Sequence, residues 1–142
     1  MIKLKSVLEF AKNKAVSSVE LVTVCPSTNE NSCNSTNWNN EIIVFVDRNR
    51  DEKLSKNDRL LTTIPPLSGN KKLVWNAFPT SQYIQFLPDG LMNGFNSTFV
   101  FCVGSGENMV AQGLIVMQTG RMRFTEGNGK VHIGANGKLL EC

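Results

Sequence analysis

Histidine is nearly absent from this sequence, and the net charge is small. His132 is the one histidine among 142 residues, so a zinc site built on several imidazole ligands is excluded. A net charge of +3 excludes a histone-like protein that captures polyanions over its whole surface. A hydrophobic fraction of 41% excludes a disordered chain, and the length fits one domain with a single core.

Side chains suited to catalysis are equally scarce. Cys25 or Cys102 would need a neighbouring base to act as a nucleophile, and His132 is the one imidazole available. His132 itself lies in an alternating stretch, residues 130–133, which favours an exposed position on a strand. We therefore expect a binding protein with no catalytic residue and no cofactor.

Four cysteines indicate two disulfides and an exported protein. Cys25 and Cys33 flank a polar loop, Cys102 lies in a predicted strand, and Cys142 is the terminal residue. Four cysteines allow three connectivities, between which the sequence cannot choose. Proximity along the chain favours Cys25 with Cys33 and Cys102 with Cys142, which would close the glycine-rich C-terminal tail.

The first 24 residues predict an amphipathic helix. Apolar side chains recur at three- and four-residue steps at Leu4, Leu8, Ala11, Ala15, Val19 and Val22. Lysines between them are expected to cover the solvent face or to meet neighbouring subunits. No apolar run approaches the roughly 18 residues that a membrane span requires. No capping residue precedes the helix, as expected of a longer helix that has been cut short.

Beyond Cys25, the sequence predicts an antiparallel β-rich region. A loop rich in Asn, Ser and Thr extends to Asn40, and short runs of β-branched and aromatic residues follow, separated by turn residues. The predicted strands are residues 42–46, 60–64, 72–75, 83–87, 98–103, 114–117 and 122–125. Together with the helix, these strands predict an α+β domain with a loop-rich C-terminal tail.

Several segments in order resemble the GspH/FimT-type minor pilins and pseudopilins. They are W-x-x-E-I-I-V-F-V-D-R-N-R-D from Trp38, I-Q-F-L-P-D-G, T-F-V-F-C and G-L-I-V-M-Q-T-G-R-M-R. The resemblance implies one type IV pilin-like domain over 1–142. Residues 1–24 would form the C-terminal half of the pilin helix, packed on the antiparallel sheets of a β-rich domain over 25–142.

The same resemblance implies a location and partners. Members of the family are made with a hydrophobic N-terminal half-helix, which is absent here and would hold the protein in the bacterial inner membrane. The domain would face the periplasm before entering an extracellular pilus. Its partners would be other major and minor pilins.

A G-R-x-R segment, Gly120 to Arg123, resembles that of the FimT group, which is associated with DNA uptake in natural transformation. Arginines at i and i+2 of an extended segment project to one face, about 6–7 Å apart, close to the separation of successive phosphates along a DNA strand. Gly120 allows the backbone to turn or to approach another group closely. Lys130 and Lys138 add charge against Glu126 alone, a net +3 between residues 111 and 140.

Two functions are consistent with this segment. The basic tail predicts binding of double-stranded DNA through its phosphates, without sequence preference, by Arg121, Arg123, Lys130 and Lys138. The alternative is a structural minor pilin or pseudopilin, FimU- or GspH-like, that primes or caps a pilus or a type II secretion pseudopilus. In that case the arginines are ordinary solvated residues, as the modest total charge favours.

The segment after residue 46 resembles a calcium-binding loop in its spacing of oxygen atoms. The side chains concerned are Asp47, Asn49, Asp51, Ser55 and Asp58. However, Glu52 stands where the turn glycine is required, and no helical pattern flanks the segment. We therefore interpret it as an acidic hairpin loop and expect no metal.

Overall fold

A computed structural model describes residues 1–77, 82–127 and 139–142. Within these ranges the chain forms an α-helix and eight strands. They are α1 (Ile2–Ser18), β1 (Val22–Ser27), β2 (Glu41–Val46), β3 (Arg59–Ile64), β4 (Lys71–Asn76), β5 (Ile84–Phe86), β6 (Ser97–Val103), β7 (Val110–Val116) and β8 (Met122–Phe124), with a short 3-10 helix, Gly106–Asn108, between β6 and β7. The predicted α+β fold, a helix packed on antiparallel sheets, is confirmed.

Helix α1 buries the predicted apolar stripe but ends earlier than predicted. Leu4, Leu8, Ala11 and Ala15 are buried, whereas Val19 terminates the helix in a left-handed conformation with φ 56°. The prediction of a helix to residue 24 was wrong, because the last six of those residues include a β-branched run that favours a strand. A period of two fits that run, and Val22 and Val24 of β1 belong to the apolar core that α1 covers.

The strands form two four-stranded antiparallel sheets. The first has the order β3-β2-β1-β5 and the second β4-β6-β7-β8. Pro26 is tolerated in β1 because β5 pairs only with Val22–Val24, so β1 has a partner on one side at the proline. One apolar core joins α1 to both sheets, with Leu8, Val24 and Phe99 among its members.

The side chain of Asn39 ties the polar loop to the edge of the second sheet. Its amide donates a hydrogen bond to the Leu73 carbonyl at 3.1 Å and accepts one from the Leu73 N–H at 2.7 Å. These two bonds pair backbone groups on β4, an outer strand that would otherwise offer them to another chain. Asn39 therefore protects this edge while fixing the loop.

Both disulfides have the pairing favoured by proximity. Cys25 and Cys33 are joined with their Cα atoms 5.4 Å apart, and Cys102 and Cys142 with theirs 6.0 Å apart. The tail is held by more than this bond, since Leu140 packs on the buried cluster around Cys102. The end of the chain is thus fastened to the face of the second sheet that lies away from α1.

Candidate nucleic-acid interface

The hairpin of β7 and β8 positions both arginines of the G-R-x-R segment. Strand β8 is the outer strand of its sheet and pairs with β7 through Met122 with Val116 and Arg123 with Ile115. Met122 packs against the core, whereas Arg121 and Arg123 are exposed. The alternation of a strand therefore directs both arginines away from the core, on the side opposite α1.

Gly120 provides the turn that leads into β8. Its N–H donates to the Met117 carbonyl at 2.8 Å, and its φ of 80° lies in the left-handed region. It also permits a close approach, because a Cβ at this position would lie 2.3 Å from the Gly90 carbonyl oxygen. The neighbour that requires glycine here is thus another turn of the same protein.

Lys12 of α1 lies across the same turn. Its Cε is 2.9 Å from the position that a Cβ on Gly120 would occupy, and the equivalent distance at Gly90 is 3.5 Å. Sequence reasoning assigned the helix lysines to solvent or to neighbouring subunits. The structure instead places Lys12, half-buried, against the tip of the arginine hairpin. The sequence pattern that could have indicated this position is the seven-residue separation of Lys12 from Lys5, which puts both lysines on one flank of the helix.

A second lysine of α1, Lys5, lies beside the Phe124 ring of β8. Its ammonium nitrogen lies 5.9 Å from the centre of the Phe124 ring and forms an ion pair with Glu9. Across residues 1–77, 82–127 and 139–142, the other ion pair joins Arg48 to Glu20. Within those ranges, Arg121 and Arg123 therefore have no carboxylate within ion-pair distance, and their guanidinium groups face solvent.

The two tail lysines cannot be placed in the same way. Lys130, Lys138 and His132 lie outside the described residues. The last described segment, 139–142, is anchored by the Cys102–Cys142 disulfide and by a 2.9 Å hydrogen bond from the Lys72 ammonium to the Cys142 carbonyl oxygen.

The acidic loop uses its carboxylates to hold its own backbone. Asp47 is fully buried and accepts hydrogen bonds from the N–H groups of Asp51 and Glu52, at 3.2 and 3.0 Å. It also accepts a hydrogen bond from the Thr23 hydroxyl at 3.2 Å. Burial raises the pKa of the Asp47 carboxyl, and these hydrogen bonds offset part of that rise.

Asp58 organises the other end of this loop. It accepts hydrogen bonds from the Arg48 N–H at 2.8 Å and from the Ser55 hydroxyl at 2.7 Å. Burial raises its pKa, but the hydrogen bonds from Ser55 and Arg48 outweigh that effect and hold the pKa below its ordinary value. Oxygens of Asp47, Asp51 and Asp58 come within 4.8 Å of one another, and this bonding accounts for their convergence.

The fold is similar to that of solved structures of other proteins. In architecture the chain is similar to two minor pilus or pseudopilus subunits. The type IV minor pilin FimU of Pseudomonas aeruginosa is 14% identical, with a TM-score of 0.61 over 87% of this chain and 84% of that one. The minor pseudopilin EpsH of the Vibrio cholerae type 2 secretion system is 11% identical, with a TM-score of 0.59 over 86% of this chain and 90% of that one.

Sequence comparison identifies the family independently of the fold. No curated protein sequence matches the chain. The family model of the type II transport protein GspH, however, matches residues 3–136, which include α1 except for its first residue and the strands β1 to β8 with the arginine hairpin. The chain therefore belongs to the GspH family of minor pilins and pseudopilins.

Proposed function

We propose that this protein is a FimT-like minor type IV pilin that binds DNA without sequence preference during uptake for natural transformation. Arg121 and Arg123 make the principal contacts, with help from Lys130 and Lys138 in the tail. One observation carries the proposal: two exposed arginines, with no carboxylate partner in the described chain, project from one side of an outer strand.

The chemistry of the arginines fits phosphate better than base recognition. Each guanidinium offers a planar fork of donors to phosphate oxygens. Side chains at i and i+2 of a strand lie about 6–7 Å apart, so the pair can engage successive phosphates of one strand. Contacts to phosphates carry no information about the bases, so binding through this pair leaves the base sequence unread.

The affinity of a single domain is expected to be low. With about four phosphate contacts, the logarithm of the duplex binding constant falls by about 3.6 for each tenfold rise in salt. A filament presenting several copies would compensate through avidity. Members of this family associate with other pilins and occupy a membrane-associated, periplasmic or pilus location. In the described ranges, no helix is long and apolar enough to cross a membrane.

The test is a titration with labelled duplex DNA at low and moderate salt, followed by fluorescence anisotropy. The double variant Arg121→Gln/Arg123→Gln should bind about a hundredfold more weakly at low salt, with a salt slope about 1.8 smaller in magnitude. Arg50→Gln/Arg59→Gln is the matched control, because it removes the same charge from exposed positions around the other sheet. Absence of salt-sensitive binding, or equal loss in both variants, would refute the proposal.

A structural role is the second candidate, and the fold likeness to FimU and EpsH together with the modest net charge favours it. In this role the protein primes or caps a pilus or pseudopilus through subunit contacts. A strain lacking the gene separates the two functions. If DNA contact is the function, Arg121→Gln/Arg123→Gln restores filaments but not transformation. If the role is structural alone, the variant restores every property that the deletion removes.

A further inference from the structure

An apolar cavity of about 210 Å³ opens between the two sheets, beside the first turn of α1. Its walls come from both sheets and from the polar loop, and they include Trp38, Ile42, Ile64, Leu67, Leu73 and Phe101. Protein interiors normally contain few voids larger than a water molecule. A dry cavity of about 150 Å³ holds benzene, so this one has room for a chain of about eight carbons.

Hydrogen bonds and a ring contact hold the walls of this cavity in place. The Leu67 N–H donates to the Asn39 carbonyl at 2.9 Å, and the side chain of Asn39 bonds both backbone groups of Leu73. Trp38 is buried, with its ring edge-on to that of Trp75 and 5.0 Å between their centroids. Because the walls are fixed in the free protein, a ligand would not have to order them, which favours binding.

Positive charge collects at the same cavity. Lys3 of α1 and Lys71 of β4 line it, both are exposed, and none of the lining residues that the structure describes is acidic. Lys71 lies two residues before Leu73 on one strand, so its side chain projects on the same face as that apolar wall. The ion pairs in the described part of the chain involve neither lysine. The Cys142 carbonyl oxygen is bound by Lys72, which points to the opposite face of β4. An anionic group at the cavity would therefore meet two cations without carboxylate partners.

We propose that this cavity binds a short-chain aliphatic carboxylate, with the chain among the apolar walls and the carboxylate beside Lys3 and Lys71. A concave apolar site with a few convergent polar groups is the usual form of a small-molecule site. A small polar anion would leave the walls empty, and an uncharged hydrocarbon would not use the lysines, so the combination selects an amphiphile with one negative end.

This site is separate from the arginine hairpin and goes beyond the proposed function. Lys71 pairs with Val103, the last residue of β6. Strand β8 begins at Met122, in register through Val116 with Ser97, the first residue of β6. The two sites therefore lie at opposite ends of the second sheet and can be tested independently.

Octanoate is the probe, and intrinsic fluorescence is the readout. Trp38 lines the cavity, Trp75 packs on Trp38, and the chain has no other tryptophan. Octanoate, kept below the concentration at which it forms micelles, should change the emission with a saturable dependence. Butanoate, which has four fewer methylenes to bury, should bind about a hundredfold more weakly. Octanol, the uncharged analogue, should bind about tenfold more weakly than octanoate, because the lysines do not attract it.

Three variants separate the roles of charge and volume. Lys3→Gln/Lys71→Gln should weaken octanoate binding about tenfold and leave octanol binding unchanged. Lys53→Gln/Lys56→Gln is the matched control, because it removes the same charge from exposed positions in the acidic loop and should leave octanoate binding unaltered. Leu67→Phe, which narrows the cavity, should weaken octanoate and octanol alike.

Four results would overturn the inference. They are no saturable response to octanoate, equal affinity for octanoate and octanol, equal weakening of octanoate binding by the two lysine double variants, and binding to vesicles of anionic phospholipid without binding to octanoate. The last result would assign this surface to a membrane instead of a small ligand. None of these outcomes bears on DNA binding, which the duplex titration tests separately.

Discussion

Gly120 is the position where one added methyl group should disturb the arginine hairpin most. Two costs arise in Gly120→Ala. A residue with a Cβ at φ 80° costs about 1–2 kcal/mol. The methyl group would also lie 2.3 Å from the Gly90 carbonyl oxygen, and moving two packed turns apart costs about 1–3 kcal/mol more. We expect a loss of about 3 kcal/mol in the free energy of unfolding.

Gly69 offers a matched control for this prediction. Its φ of 68° is similarly left-handed, but nothing lies within 4 Å of a Cβ built there. Gly69→Ala should therefore cost only the conformational part, about 1 kcal/mol. Urea unfolding with both disulfides intact measures the two values, and with an m-value of about 2 kcal/mol/M the midpoints should fall by about 1.5 M and 0.5 M. Equal shifts would refute the contact between the two turns.

Two other predictions concern the disulfides and the acidic loop. The Cys102–Cys142 disulfide closes a separation of 40 residues and Cys25–Cys33 one of 8, so serine pairs at these positions should cost about 4 and 2.5 kcal/mol in urea unfolding. The reverse order would contradict the loop-entropy argument. Because the pKa of Asp58 is lowered, its stabilisation is complete above pH 3.8 and is lost as pH falls through the lowered pKa. Asp58→Asn should therefore be less stable than wild type at neutral pH by a margin that shrinks below pH 3.8, and a constant margin would count against this assignment.

The regular parts of this fold could be predicted because their signals are local. The buried stripe of α1, from Leu4 to Ala15, follows from helical spacing, and seven strands follow from β-branched runs between turn residues. β1 escaped prediction because Val22 satisfies the helical step from Val19 and the strand alternation equally. The choice between the two depended on pairing with Val44 and Val46, far along the chain.

The candidate site, too, could be predicted from the sequence only where the signal is local. The common exposure of Arg121 and Arg123 could be predicted from the alternation of a strand, without knowledge of its partner. Lys12 could not be assigned to the hairpin, because it reaches the hairpin through contacts between segments distant in sequence. The absence of a Cβ at Gly90 and at Gly120 leaves room for the Lys12 side chain beside the two turns.

The α+β class, most strand positions and two arginines on one face of an exposed segment follow from the sequence alone. The end of α1, the choice among three disulfide connectivities and the groups around the arginines depend on tertiary contacts. This division reflects the range of the interactions. Backbone periodicity acts over a few residues, whereas packing of two glycine turns against a helix lysine depends on the whole fold at once.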